Sequence, residues 1–190
     1  MDATAITGDI GAGKSTISKL LAKNFQCELL DADRVTAELW TQENVKAMAL
    51  SRWGTEILDS SGNIIKPKIS RIIFTNKDEY KFCNSFLHPL IMSELERQAK
   101  NFPRVIIEIP LLFEVGRPEW IRQVIYVTAS FETRAKRCKL QRGWNIEELL
   151  RREEFLLPSK AKISQSDYVI NNDGELDEVI NQVSKLLINF

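Results

Sequence analysis

Apolar residues recur along this chain in two rhythms that alternate from end to end. Five short segments, Thr4–Thr7, Glu28–Leu30, Val105–Ile109, Gln123–Val127 and Tyr168–Ile170, read as strands with helical patterns between them. Strands alternating with helices predict a parallel sheet covered by helices on both faces. Val105, Ile106 and Ile107 are apolar without alternation, as a strand buried on both faces requires. Thr4–Thr7 is weaker and reads as a strand mainly because a glycine-rich loop and a helical stripe come directly after it. Beyond Ser15, the residues Ile17, Leu20, Leu21 and Phe25 recur at helical spacing and form one apolar stripe.

Between the second and third strands, residues 35–100 read mostly as helix. Leu39, Trp40, Val45, Met48, Trp53, Ile69, Ile72, Ile73 and Phe74 are too many apolar residues for a solvated linker, and Gly62 and Pro67 break the stretch into pieces. A helical insertion at that point would stand over the carboxyl ends of the strands, where open α/β sheets bind ligands. Asn145, with Glu148 three residues later, marks a helix start. Leu176, Val179, Ile180, Val183 and Leu187 predict an amphipathic closing helix.

Composition narrows the function. In 190 residues, 44% are hydrophobic and 27% charged, as in an ordinary globular enzyme. Lys plus Arg and Asp plus Glu number 26 each, so the overall charge gives no reason to expect nucleic acid or membrane as a partner. Cys27, Cys83 and Cys138 are scattered, which argues against a disulfide framework and a zinc site and for a reducing, cytoplasmic setting. No basic run followed by an apolar run opens the chain, so no secretory signal is expected, and no apolar run is long enough to span a membrane.

The chemistry begins at Gly8-Asp9-Ile10-Gly11-Ala12-Gly13-Lys14-Ser15, followed by Thr16, which matches GxxxxGK[ST] throughout. Glycines let backbone N–H groups turn inward around phosphate oxygens, and the following helix points its positive end at them. Lys14 can reach β- and γ-phosphates, and the Ser15 hydroxyl can ligate Mg²⁺. The bland alternative, a glycine-rich turn before a helix, does not account for the flanking strand and apolar stripe. Asp9 is an oddity, because a carboxylate beside phosphates repels them unless it points away. The second strand is expected to end in Asp31-Ala32-Asp33, with a helix starting at Arg34. Position alone leaves Asp33 either as the base that takes a proton from an attacking hydroxyl or as a helix cap.

The cradle, Asp31-Ala32-Asp33, His88-Pro89-Leu90-Ile91, Pro110-Leu111-Leu112-Phe113-Glu114 and Asp167 to Gly174 follow one another in an order that resembles the dephospho-CoA kinase family over nearly the whole chain. The resemblance implies a P-loop α/β fold with a parallel five-stranded sheet, a helical insertion and a helical lid. It implies ATP as co-substrate with Mg²⁺, and transfer of phosphate to the ribose 3′-hydroxyl of dephospho-CoA. Residues 1–34, 101–130 and 163–190 would form the nucleotide-binding core, 35–100 the substrate domain and 131–162 the lid. Asp33 would be the base, Arg137 and Arg142 would act with Lys14 on the phosphates, and Asn172 to Gly174 would lie near the adenine. His88, Pro110, Leu111 and Glu114 would contact substrate, although His88 could equally fix a turn before Pro89. Glu108 and Glu114 could approach Mg²⁺, orient substrate or simply be salt-bridged, and the lid arginines could be a solvated face.

Three departures from the family pattern stand out: Asp9 in place of a glycine, Leu156 in place of a glutamine, and Lys66-Pro67 where an arginine is common. Asp9 and Leu156 keep open a weakly active nucleotide-binding relative. Another P-loop kinase, acting on a nucleotide or a metabolite alcohol, is the nearest rival. A GTP switch is a third reading, but Asn76-Lys77-Asp78-Glu79 fails the guanine-reading NKxD at its fourth position.

Overall fold

The computed structural model describes residues 1–174 and 176–187. The chain divides into two compact units, one formed by residues 1–31 with the chain from 98 onward, the other by Ala32–Arg97.

The first unit is built on five strands: β1 (Asp2–Gly8), β2 (Glu28–Asp31), β3 (Arg104–Glu108), β4 (Gln123–Thr128) and β5 (Tyr168–Asn171). They pair in the order β2-β3-β1-β4-β5, and every pairing is parallel. The expected parallel five-stranded sheet is therefore present, with each strand within a residue or two of its expected limits. β1 is the central strand, and Ala3, Ala5 and Ile6 are fully buried on it. Its helices are α1 (Lys14–Phe25), α6 (Leu112–Val115), α7 (Phe131–Arg142), α8 (Ile146–Glu153), α9 (Ser159–Ile163) and α10 (Leu176–Leu187). Ile17 and Leu21 of α1 and Val179 and Val183 of α10 pack with Ile6, Ile106, Ile125 and Ile170 of the sheet in one aliphatic core. Asn145 caps α8, its side-chain oxygen accepting from the Glu148 N–H at 2.9 Å.

The second unit holds α2 (Ala32–Leu39), α3 (Glu43–Trp53), α4 (Lys66–Ile73) and most of α5 (Lys77–Ala99). Gly62 sits in a tight turn organised by Asp59, whose carboxylate accepts from the N–H groups of Ser61 and Asn63 at 2.9 and 2.8 Å. Pro67 is in the first turn of α4, where its missing N–H costs nothing. Rings bind the unit together: Trp40 and Phe86 meet edge-on at 6.1 Å, Trp53 and Phe82 at 5.7 Å. Asn76, the first residue of the NKxD lookalike, caps α5 instead, its side-chain oxygen accepting from the Asp78 N–H at 2.8 Å.

Two local expectations are corrected. α2 begins at Ala32 rather than Arg34, so Asp33 lies inside the first turn and is not the cap; a carboxylate there still suits the positive end of the helix. No turn precedes Pro89, which lies within α5. The helix runs through it because Cys83, Leu87, Ile91 and Leu95, one every four residues, form a buried stripe whose packing outweighs one lost backbone hydrogen bond. Among the described residues, no helix is long and apolar enough to cross a membrane.

Candidate active site

The sheet register sets the site. Gly8 ends β1 opposite Val127, and Ile6 pairs with Glu108, so the loop after β1 leaves the sheet between the ends of β3 and β4. A side chain at Gly8 has no room, since a Cβ there would lie 2.0 Å from the Val127 carbonyl oxygen. Gly13 has φ of +90°, and its Cβ would fall 2.4 Å from Asn172 Nδ2. Both glycines are needed to bring backbone close to backbone and to Asn172.

Within the loop, the Asp9 N–H donates to Val127 and the Ala12 N–H to the Asp9 carbonyl. Lys14 folds back over the loop and donates its Nζ to the carbonyls of Gly8 and Asp9 at 3.2 and 3.0 Å. Burial of the ammonium pushes its pKa down to about 8; Glu108 opposes the fall, Arg142 and Lys162 add to it, and Asp9 again opposes it. Ser15 Oγ donates to Glu108 Oε1 at 2.9 Å. That pairing puts a hydroxyl and a carboxylate oxygen together beside the cradle, the hard oxygen donors that Mg²⁺ prefers, with phosphates and water to complete its shell. The sequence leaves Glu108 with several roles at the end of β3; its link to Ser15, 93 residues away, has no local signal.

Arg137 and Asn172 converge on the far edge of the loop. Arg137 donates to the carbonyls of Ala12 and Asn172 at 3.2 and 2.9 Å, and Asn172 Nδ2 donates to Ala12 at 2.7 Å. The turn through Gly174 is held in turn by Asp173, whose carboxylate takes the Ser130 N–H at 2.8 Å. The structure thus brings together Gly8, Ile10, Gly11, Ala12, Gly13, Lys14, Ser15, Thr16, Arg137 and Asn172. Arg142 is exposed, its guanidinium 4.8 Å from the Trp144 ring centre, yet its charge is felt at Lys14. Arg134, a neighbour in the same basic run, is a structural residue. It is 9% exposed, donates to Ala129 and Ile10 carbonyls, and pairs with Glu153.

Pro110 accepts the Thr7 hydroxyl at 3.2 Å, and Leu111 precedes α6. Glu114 is salt-bridged rather than solvated: its Oε1 takes the Leu157 N–H at 3.1 Å and Lys162 Nζ at 3.3 Å. Lys162 is 1% exposed and lies 5.9 Å from the Tyr126 ring centre; nothing in the sequence near it signals a buried lysine. Asp33 and His88 belong to the helical unit. Asp33 is exposed in the first turn of α2, and His88 is half-buried within α5, where burial lowers its pKa.

Asp9 is the resolution of the oddity in the cradle. It is 5% exposed and turned away from the loop's mouth, its carboxylate accepting from Tyr126 Oη at 2.6 Å, Thr128 Oγ1 at 2.7 Å and the Ser159 hydroxyl. Burial alone would raise its pKa; the hydrogen bonds from Ser159, Tyr126 and Thr128, with the charge of Arg134, more than reverse that and hold it below its ordinary value.

Comparison with known proteins agrees with this architecture. The sequence profile described as dephospho-CoA kinase matches residues 3–178. A dephospho-CoA kinase of Arabidopsis thaliana is 32% identical, the alignment covering 99% of this chain and 83% of that protein. A Thermus thermophilus protein of solved structure superposes with a TM-score of 0.81 at 28% identity, covering 100% of this chain and 97% of the other. The dephospho-CoA kinase of Campylobacter jejuni, at 22% identity, shares the fold with a TM-score of 0.68 over 98% of this chain and 96% of its own. With a glycine-rich loop closed by Arg137 and Asn172 and a family profile matched over residues 3–178, this chain belongs to the dephospho-CoA kinase family.

Proposed function

We propose that the protein transfers the γ-phosphoryl group of ATP to the ribose 3′-hydroxyl of dephospho-CoA, giving CoA and ADP. The observation that carries this reading is the assembled cradle, with Lys14 held on the loop and Ser15 on Glu108, in a chain of this family.

ATP is the co-substrate of a kinase of this family. The loop N–H groups and the start of α1 receive its phosphates, and Lys14 exchanges the Gly8 and Asp9 carbonyls for phosphate oxygens. Ser15 and Glu108 are the residues that would hold Mg²⁺, which supplies charge neutralisation on the β- and γ-phosphates. Asp33 accepts the proton of the 3′-hydroxyl as its oxygen bonds to the γ-phosphorus and the bond to the departing ADP oxygen breaks. Arg137 and Arg142, on the lid, neutralise charge that develops on the transferring group. Asn172 and Gly174 flank the adenine, and His88, Pro110, Leu111 and Glu114 border the acceptor. For Glu114 that role is indirect, since it reaches the lid through Leu157 and Lys162. Unpaired Cys27, Cys83 and Cys138 fit a reducing compartment, and we assign the protein to the cytoplasm.

The test is direct: incubate the protein with ATP, Mg²⁺ and dephospho-CoA and follow CoA by mass, with nucleoside monophosphates as competing acceptors. CoA formation is the expected result. Phosphorylation of a monophosphate with dephospho-CoA untouched would assign the chain to a different acceptor.

A further inference from the structure

We propose that Asp9 is a positioning residue for nucleotide binding: its carboxylate ties the phosphate loop to β4 and to Ser159 at the head of α9, and so fixes the carbonyls on which Lys14 rests. This rests on the reading of the loop as the ATP site.

The backbone does not require a glycine at this position. Among the described non-glycine residues only Gln26 has a positive φ, so position 9 adopts a conformation open to any side chain. What the aspartate adds is a three-way acceptor. Tyr126, fully buried in the middle of β4, and Thr128, at the end of the same strand, reach it from one element, and Ser159 from another. The Asp9 carbonyl meanwhile accepts from Lys14 Nζ at 3.0 Å and from the Ala12 N–H at 3.2 Å. One residue therefore has its side chain anchored in the sheet unit's interior and its main chain under the lysine.

Other contacts run the same way. Arg134 bonds the Ile10 carbonyl and Glu153, and Lys162, three residues beyond Ser159, pairs with Glu114. The strand end, the loop and the segment after α8 are thereby joined around Asp9, with its negative charge spread over hydroxyl donors and kept from the phosphates. The charge is what a substitution removes. An asparagine in its place keeps one neutral acceptor oxygen for Tyr126 and Ser159 and turns an N–H₂ toward Thr128, whose hydroxyl must then accept instead of donating, and a glycine offers nothing.

The experiment titrates the enzyme with Mg·ADP by calorimetry, without acceptor, for the wild type, Asp9→Asn, Asp9→Gly, Ser159→Ala and the double variant Asp9→Gly/Ser159→Ala. Thermal unfolding is measured alongside. Both Asp9 variants should bind ADP about tenfold more weakly, as the loss of a charged acceptor implies. Ser159→Ala should weaken binding about threefold in the wild type and add nothing in the Asp9→Gly background. ADP affinity within about twofold of wild type in both Asp9 variants, even with a lowered unfolding midpoint, would overturn the proposal. So would a Ser159→Ala effect of equal size in both backgrounds. Should the Asp9 variants not fold, Ser159→Ala and Thr128→Val carry the test, and full ADP affinity in both would sink it. Failure of the wild type to bind ADP would end the nucleotide reading itself, whereas ADP binding without CoA formation would touch only the acceptor.

Discussion

The two units solve different problems. In the helical unit, Val35, Val45, Ala49, Ile57, Leu87 and Leu95 fill the buried positions, and its polar side chains serve turns and caps or pair at the surface, as Arg52 does with Glu79. In the sheet unit, aliphatic burial is joined by Asp9, Glu108, Arg134, Lys162 and Asn172, and among the described residues every buried charged side chain lies there. Burying a charge is expensive unless it is hydrogen-bonded or paired. Each of these five has such a partner: hydroxyls for Asp9, Ser15 for Glu108, Glu153 for Arg134, Glu114 for Lys162, Ala12 for Asn172. Where a chain accepts that cost repeatedly around one loop, the loop is where chemistry is to be sought.

The strongest way to break this contrast is through Asp33, the helical-unit residue to which proton transfer is assigned. Lys14→Ala and Asp33→Asn should each lower turnover about a hundredfold or more with the fold intact. Near-full activity in Asp33→Asn would confine the chemistry to the sheet unit. A substitution of pure packing sharpens the other side: Leu95→Ala should cost about 3 kcal/mol of stability, read by denaturant titration, while turnover per folded molecule holds. Arg137→Ala comes next: from the role proposed for it, about a tenfold loss should fall mainly on turnover, because a contact to the transferring group tightens as charge develops. Unchanged turnover and affinity would make it a brace for Ala12 and Asn172 only.

The smallest effect is in pH. In the free enzyme Lys14 loses its proton as pH rises through about 8, whereas bound phosphates favour the charged form. ADP affinity should therefore hold below that pH and decline above it, and Lys14→Ala should show no such break.

Much of the sheet unit was legible because its signals are local. The cradle is contiguous, the β3 run is apolar without interruption, and Ile17 and Leu21 repeat within one helix. What escaped is long-range. Asp9 could be flagged as out of place, but Tyr126 and Ser159 are 117 and 150 residues away, and no pattern near them points back to it. Lys162 reads as one more surface lysine until α9 is seen to bury it against Glu114. In the helical unit the sequence misled at Pro89, where a strong local breaker yielded to a stripe of buried residues on either side, and at Asp33, where the helix starts two residues early.

One carbonyl carries a practical consequence. The Ala12 oxygen receives both an amide and a guanidinium, so its bond is polarised more than that of an ordinary peptide group and its stretching band lies at lower frequency. A ¹³C label at the Ala12 carbonyl carbon would turn that group into an infrared reporter of whether Arg137 keeps this contact when nucleotide is added, read in the unmutated enzyme.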